Sequence, residues 1–137
     1  MLAYFRVIKN LGRCYMKNVA IDYPKIIDNA MRGVVRDILK RVQISGLPAD
    51  HHFYISFTTN HPEVKISEQL RAKYPNEITI VMQHQFWDLK VEENKFSVSM
   101  SFGGVPETLT VPFSALLGFA DPSVRFGLQF QELELDA

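Results

Sequence analysis

The sequence predicts an α+β fold: a long N-terminal helix packed on a small, mostly antiparallel open β-barrel. Three observations carry this. Apolar residues recur at helical spacing between about Tyr23 and Val42. From Phe53 onward the repeat shortens to two, in brief runs separated by Asn, Gly and Pro. The 137 residues suit one core of ordinary domain size.

The helix has its own punctuation. Asp22 can cap it, Pro24 suits the first turn, and Gly46 with Pro48 closes it, which sets the element at about residues 23–45. Its apolar positions, Ile26, Ile27, Ala30, Met31, Val34, Val35, Ile38, Leu39 and Val42, span an arc of about 220°. One side of a small sheet covers somewhat over about 100°. The surplus calls for a second partner, most economically a copy of the chain, so a homodimer interface is expected at Ile26, Ala30, Gly33 and Val34. A glycine inside a helix costs up to about 1 kcal/mol relative to alanine. Gly33 is explained if another backbone passes close to it.

The strands follow in order. Phe53, Ile55 and Phe57 alternate with polar positions, as do Ile78, Ile80 and Met82. Between them, Asn60-His61-Pro62 breaks the chain, Val64 and Ile66 make a brief extended piece, and Ser67 to Tyr74 reads as a polar excursion. Trp87, Leu89 and Val91 begin another strand, Glu92 to Lys95 turns it, and Phe96, Val98, Met100 and Phe102 return against Ser97, Ser99 and Ser101. Gly103-Gly104 allows a sharp bend or a bulge that re-aims the strand end. Leu109 and Val111 make one more strand, Pro112 starts a short helical turn through Leu117, and Val124 to Phe130 forms a last edge strand. Five or six short strands after one helix give the barrel.

Composition removes whole classes of function. Fifteen basic against fifteen acidic residues give no net charge, which argues against general phosphate neutralisation. The single cysteine, Cys14, can form neither an intramolecular disulfide nor a structural zinc site, so a cytoplasmic protein is expected. Residues 1–15 carry Arg6, Lys9 and Arg13 without an apolar h-region or a cleavage site, and read as a disordered leader or an upstream start ahead of Met16. The single domain then covers residues 16–130, with the barrel over about 50–130 and an acidic tail beginning at 131–137. No run reaches the roughly 18 apolar residues of a spanning helix, so no membrane partner is expected.

Catalysis has no visible address, and neither an enzyme nor a cofactor or metal is expected. His51 and His52 are adjacent, His61 precedes a proline and His84 stands alone, so none has ligand spacing. No serine sits in a nucleophile elbow, and Asp88, Glu92 and Glu93 read as a solvated hairpin tip. What remains is recognition. Exposed strand edges of a small barrel can receive an extended peptide. Gln83, His84, Gln85, Phe86 and Trp87 set amide and imidazole groups beside two aromatics, a mix suited to reading one. The alternative is a small Sm- or OB-like barrel binding single-stranded nucleic acid, but the basic lane with stacked aromatics is missing.

The run from Phe96 to Pro106, Phe-Ser-Val-Ser-Met-Ser-Phe-Gly-Gly-Val-Pro, followed by Leu-Thr-Val-Pro at 109–112 and Ala115-Leu116-Leu117, resembles the central stretch of the stringent starvation protein B (SspB) family, especially its divergent alphaproteobacterial form. Ile78 to Met82 and Trp87 to Val91 match in order and spacing, so the likeness runs from about Tyr23 to Phe130. The resemblance implies an adaptor, a dimer paired through its N-terminal helix. Its Sm-like barrel would bind the ssrA degradation tag on stalled translation products and deliver them to the ClpX unfoldase of the ClpXP protease. By position, the family's tag groove falls on Val81, Gln83, His84 and Phe86, with Ser99, Met100, Ser101 and Phe102 facing them. One departure stands out: members carry a long acidic tail ending in a ClpX-docking peptide, whereas this sequence stops at Ala137, as a trimmed chain or one without that tether would.

Overall fold

Asp22 and Pro24 start the first helix as their chemistry requires: the Asp22 carboxylate accepts the Lys25 backbone N–H at 3.2 Å, and proline occupies the first turn. The computed structural model describes residues 21–48 and 50–130. The expected leader, with Cys14 and Met16, and the acidic tail from Gln131 lie outside the described residues. Helix α1 (Tyr23–Ser45) ends at Gly46, whose φ of 78° favours glycine and whose N–H returns to the Val42 carbonyl at 2.8 Å.

Seven strands follow, β1 (Phe53–Thr58), β2 (Glu77–Met82), β3 (Phe86–Val91), β4 (Lys95–Phe102), β5 (Val105–Pro112), β6 (Leu116–Asp121) and β7 (Phe126–Gln129). They form two antiparallel sheets, ordered β2-β1-β6-β7 and β3-β4-β5, which do not close on each other. The α+β class and the open barrel are therefore as the sequence indicated. Inward residues of both sheets, including Ile55, Phe57, Ile80, Met82, Phe96, Val98, Leu109 and Val111, seal one core against Val35, Leu39 and Val42 of α1.

Four local features differ from the sequence reading. The polar stretch after Ile66 contains a short helix, α2 (Glu68–Lys73), capped by the Ser67 hydroxyl at 3.1 Å from the Leu70 N–H. Its Arg71 donates to the carbonyls of Thr59 and Val64 and so ties two loops together. Leu116 does not continue a helical turn. Only Phe113–Ala115 form a 3-10 turn, and β6 then runs through Gly118 between β1 and β7. In β3, Asp88 has φ 54° and three steps from Trp87 to Lys90 match two on β4, a bulge that turns Trp87 outward while Leu89 and Val91 pack toward the core. Gly103 and Gly104, with φ of 57° and 83°, make a two-residue hairpin turn, and β4 pairs β5 without interruption from Lys95–Pro112 to Phe102–Val105. They close a hairpin and do not re-aim the strand.

What orients α1 is a charge the periodicity left unassigned. Arg32 and Asp28, one turn apart, are both buried on the helix face that meets the sheets. The guanidinium Nε and Nη2 lie 3.1 and 3.0 Å from Asp28 Oδ2. Nη1 donates to the carbonyls of Phe113 and Leu116, and the group stacks 4.8 Å from the centre of the Phe130 ring. Replacing Arg32 by alanine would leave Asp28 as an uncompensated buried charge, at a cost of about 3–5 kcal/mol. The exposed Arg36–Glu93 pair is worth under about 1 kcal/mol. Urea unfolding of Arg32→Ala and Arg36→Ala should show that contrast; equal losses would contradict it.

Candidate functional site

The sheets have four free edges, β7, β5, β2 and β3, and the chain passes directly between the last two. Each of these strands is the edge of its sheet, and the connecting Gln83, His84 and Gln85 are exposed. On the core face of the three-stranded sheet, side chains are sealed at Phe96 and Val98 but open progressively toward the glycine turn. Met100 is 5% exposed and stands opposite Phe86, which is half-buried; beyond it Phe102 is half-buried and its partner Val105 is 49% exposed. The result is a partly open end of this face, with Phe86, Phe102 and Val105 beside the half-buried Glu107, which pairs with the buried Met100; the exposed Gln83, His84 and Gln85 lead into Phe86.

The sequence-predicted residues do not all share this surface. Val81 is 41% exposed on the outer face of β2, opposite Tyr54. Ser99 is buried opposite Trp87 on the outer face of the other sheet, where its hydroxyl meets that of Thr108 at 2.8 Å, and Ser101 is exposed beyond it. One geometry still reaches both Val81 and this open end. A peptide strand added at the free edge of β2 alternates its side chains, one set toward the outer face and the other toward the opening. Val105 was missing from the predicted set, and pairing across the glycine hairpin places it; Trp87, named beside Phe86 in the sequence, is instead turned to the outer face, next to the Asp88 bulge.

The outer side of α1 is a second exposed apolar surface. Ile26 is 56% exposed, Val34 42%, and Ala30 is exposed between them. Gly33 lies off this stripe, half-buried, and a Cβ there would stand 3.2 Å from the Arg36 guanidinium. That guanidinium donates to the Glu93 carbonyl at 3.2 Å. Beside the C-terminal half of α1, a groove of about 440 Å³ runs between Val34, Ile38 and Val42 and the wall formed by Phe53, Phe119, Val124 and Phe126. At its end His51 Nδ1 meets Asp121 Oδ2 at 2.6 Å, and Asp121 also accepts the Ser123 backbone N–H at 3.1 Å. Burial pushes the Asp121 carboxyl up, but hydrogen bonds from Ser123 and His51 and the His51 charge outweigh it and hold the group below its ordinary value.

The His61 contact does not activate Ser114 as a nucleophile. The Glu63 backbone N–H donates to His61 Nδ1 at 3.0 Å, which leaves Nε2 as the protonated nitrogen, so it donates to Ser114 Oγ at 3.0 Å and cannot take that proton. Among the described residues no three His, Cys, Asp or Glu side chains gather as a metal site requires, and no helix is long and apolar enough to cross a membrane.

A family model, Stringent starvation protein B, matches residues 25–137. Comparison with curated proteins finds no match. The matched span takes in the open end, the groove and Asp121, whose carboxylate gives a direct reading of how the groove end is held. A carboxyl held below its ordinary value contributes stability above that value, about 3.8, and loses it as pH falls through the folded one. The stability gap between the natural chain and Asp121→Asn should therefore narrow from about pH 5 down to about pH 2 in urea unfolding. A gap constant over that range would contradict the arrangement.

Proposed function

The chain belongs to the stringent starvation protein B family, and we propose that it is a proteolysis adaptor that binds ssrA-type degradation tags on stalled translation products and delivers them to the ClpXP protease. The observation that carries this reading is the family match over residues 25–137. The open end of the barrel supports it. An extended tag added to the edge of β2 would satisfy its backbone on the strand, set alternate side chains against Val81, and place the others at the end that carries Phe86, Phe102 and Val105. Gln83 and His84 stand where polar tag groups would be read. Ser99 and Met100, being buried, support Trp87 and Phe86 and do not meet the tag. Two copies paired through the outer arc of α1, at Ile26, Ala30 and Val34, would give a homodimer with two such sites.

Binding of a fluorescent ssrA-type peptide tests the reading. Val81→Glu should weaken binding by roughly thirtyfold, about 2 kcal/mol, by setting an unpaired charge against an apolar tag. The melting temperature should stay unchanged, because Val81 is exposed. Salt should have a modest effect. Binding of oligonucleotides with a steep salt dependence, and none of the peptide, would replace this reading with the nucleic-acid one.

A further inference from the structure

The outer face of the three-stranded sheet carries positive charge that the fold does not answer. Strand pairing sets Lys90 of β3, Ser97 of β4 and Thr110 of β5 in one row, and Lys65, which exchanges backbone hydrogen bonds with Thr110 at 2.9 and 3.0 Å, ends it. Paired residues share a face, and Phe96, Val98, Leu109 and Val111 take the inner one, so the row stands outward. Lys95, two positions from Ser97, stands outward as well. At a strand spacing of about 4.8 Å the two end lysines are about 14 Å apart at Cα, a span that a few residues of bound chain can cover. Among the described residues none of the three lysines has a carboxylate partner, and the hydroxyls of Ser97 and Thr110 have no hydrogen-bond partner. Glu107, the one acidic residue of β4 and β5, pairs with Met100 on the inner face. In the next row Trp87 is 42% exposed opposite Ser99, whose hydroxyl is already spent on Thr108.

We propose that this face docks an acidic segment of a partner protein, whose carboxylates meet Lys65, Lys90 and Lys95 and accept hydrogen bonds from Ser97 and Thr110, while a neighbouring apolar side chain packs on Trp87. The chain as a whole has as many acidic as basic residues, so three unanswered lysines on one face are a local excess that a bound acid offsets and that steers its approach. Tryptophan is the side chain that most often anchors an interface, and here it lies beside a polar rim. The occupant is a polypeptide because acids border the face: Asp88 follows Trp87, and Glu92 and Glu93 stand at the hairpin tip. A nucleic acid is charged at every nucleotide and would meet these acids too, whereas a polypeptide places its carboxylates at the lysines alone. One such platform is small, which makes the contact weak and quickly reversed. It lies on the opposite face of the sheet from Phe86 and Phe102, so it is distinct from the proposed tag site and does not depend on it.

Trp87 is the single tryptophan of the chain, so its fluorescence reports on this face. The probe is the capped peptide Glu-Glu-Leu-Glu-Glu-Leu-Glu-Glu, which has no aromatic residue, titrated into the full chain. Binding should shield Trp87 from acrylamide quenching, and raising salt from about 0.05 to about 0.2 M should weaken it several-fold. Lys65→Gln, Lys90→Gln and Lys95→Gln together should weaken it at least about tenfold, with melting temperature and ssrA-type peptide binding unchanged. The peptide with glutamine at every glutamate should not bind. Absence of shielding, or shielding that the triple variant keeps, overturns the proposal. If the triple variant melts early, amide NMR shifts in the natural chain decide: changes at Lys65, Ser97 and Thr110 support the face, and their absence overturns it. Stronger shielding by oligouridylate than by the peptide makes this a nucleic-acid face. Tighter peptide binding after Glu132→Gln, Glu134→Gln and Asp136→Asn makes the chain's own residues 131–137 the occupant, and either result replaces the partner protein. Loss of ssrA-type peptide binding in the triple variant would put both ligands on one surface and overturn the separate face, whereas failure of that peptide on the natural chain bears on the adaptor reading alone.

Discussion

A guanidinium held away from water must find partners for its donors, and Arg32 finds them in Asp28 and in the carbonyls of Phe113 and Leu116. That requirement fixes more than one contact. It joins the middle of α1 to the 3-10 turn between β5 and β6, and the ring of Phe130 closes over it just beyond β7. Once this face of the helix is inward, Val35, Leu39 and Val42 enter the core and Ile26, Ala30 and Val34 remain outside. The exposed arc and the groove beside it follow from where Arg32 must sit.

The outer clasp of the helix is of a different kind. Gln43 accepts the Val91 backbone N–H at 3.0 Å, and Arg36 and Lys40 reach Glu93 at the tip of the β3–β4 hairpin. These contacts are solvated and individually weak, but they tie α1 to the strand whose other end carries Phe86. The helix contacts and the exposed Phe86 thus lie at opposite ends of β3, and a bulge at Asp88 lies between them.

Much of this organisation was legible in the residues. The helix limits follow from Asp22, Pro24 and Gly46, and the width of its apolar arc already required more than one covering surface. The β3–β4 hairpin and the buried phase of β4 follow from strict alternation. What periodicity hides is polar or exceptional. Periodicity leaves Arg32 and Asp28 unassigned, because the carbonyls that receive Arg32 lie more than eighty positions away in sequence. A six-residue helix leaves too few turns for a pattern, so α2 was hidden, and Gly118 disguised β6. Alternation places Phe86, Met100 and Phe102 on one face of their sheet, Met100 being buried there, whereas the position of Val105 depends on the hairpin turn and the outward turn of Trp87 on the β3 register. A Cβ at Gly33 would stand 3.2 Å from the end of the Arg36 side chain, a neighbour that periodicity does not show.

The proposed capture site for an extended peptide is the β2 edge together with the end of the barrel at Phe86, Phe102 and Val105. The most direct measurement is a titration of the isotope-labelled protein with an ssrA-type peptide, followed by backbone amide NMR shifts. The account predicts that the changes concentrate at Thr79 to Trp87 and Ser101 to Val105, with α1 and Val124 to Phe126 unmoved. Changes confined to the α1 groove, or none at saturating peptide, would contradict it.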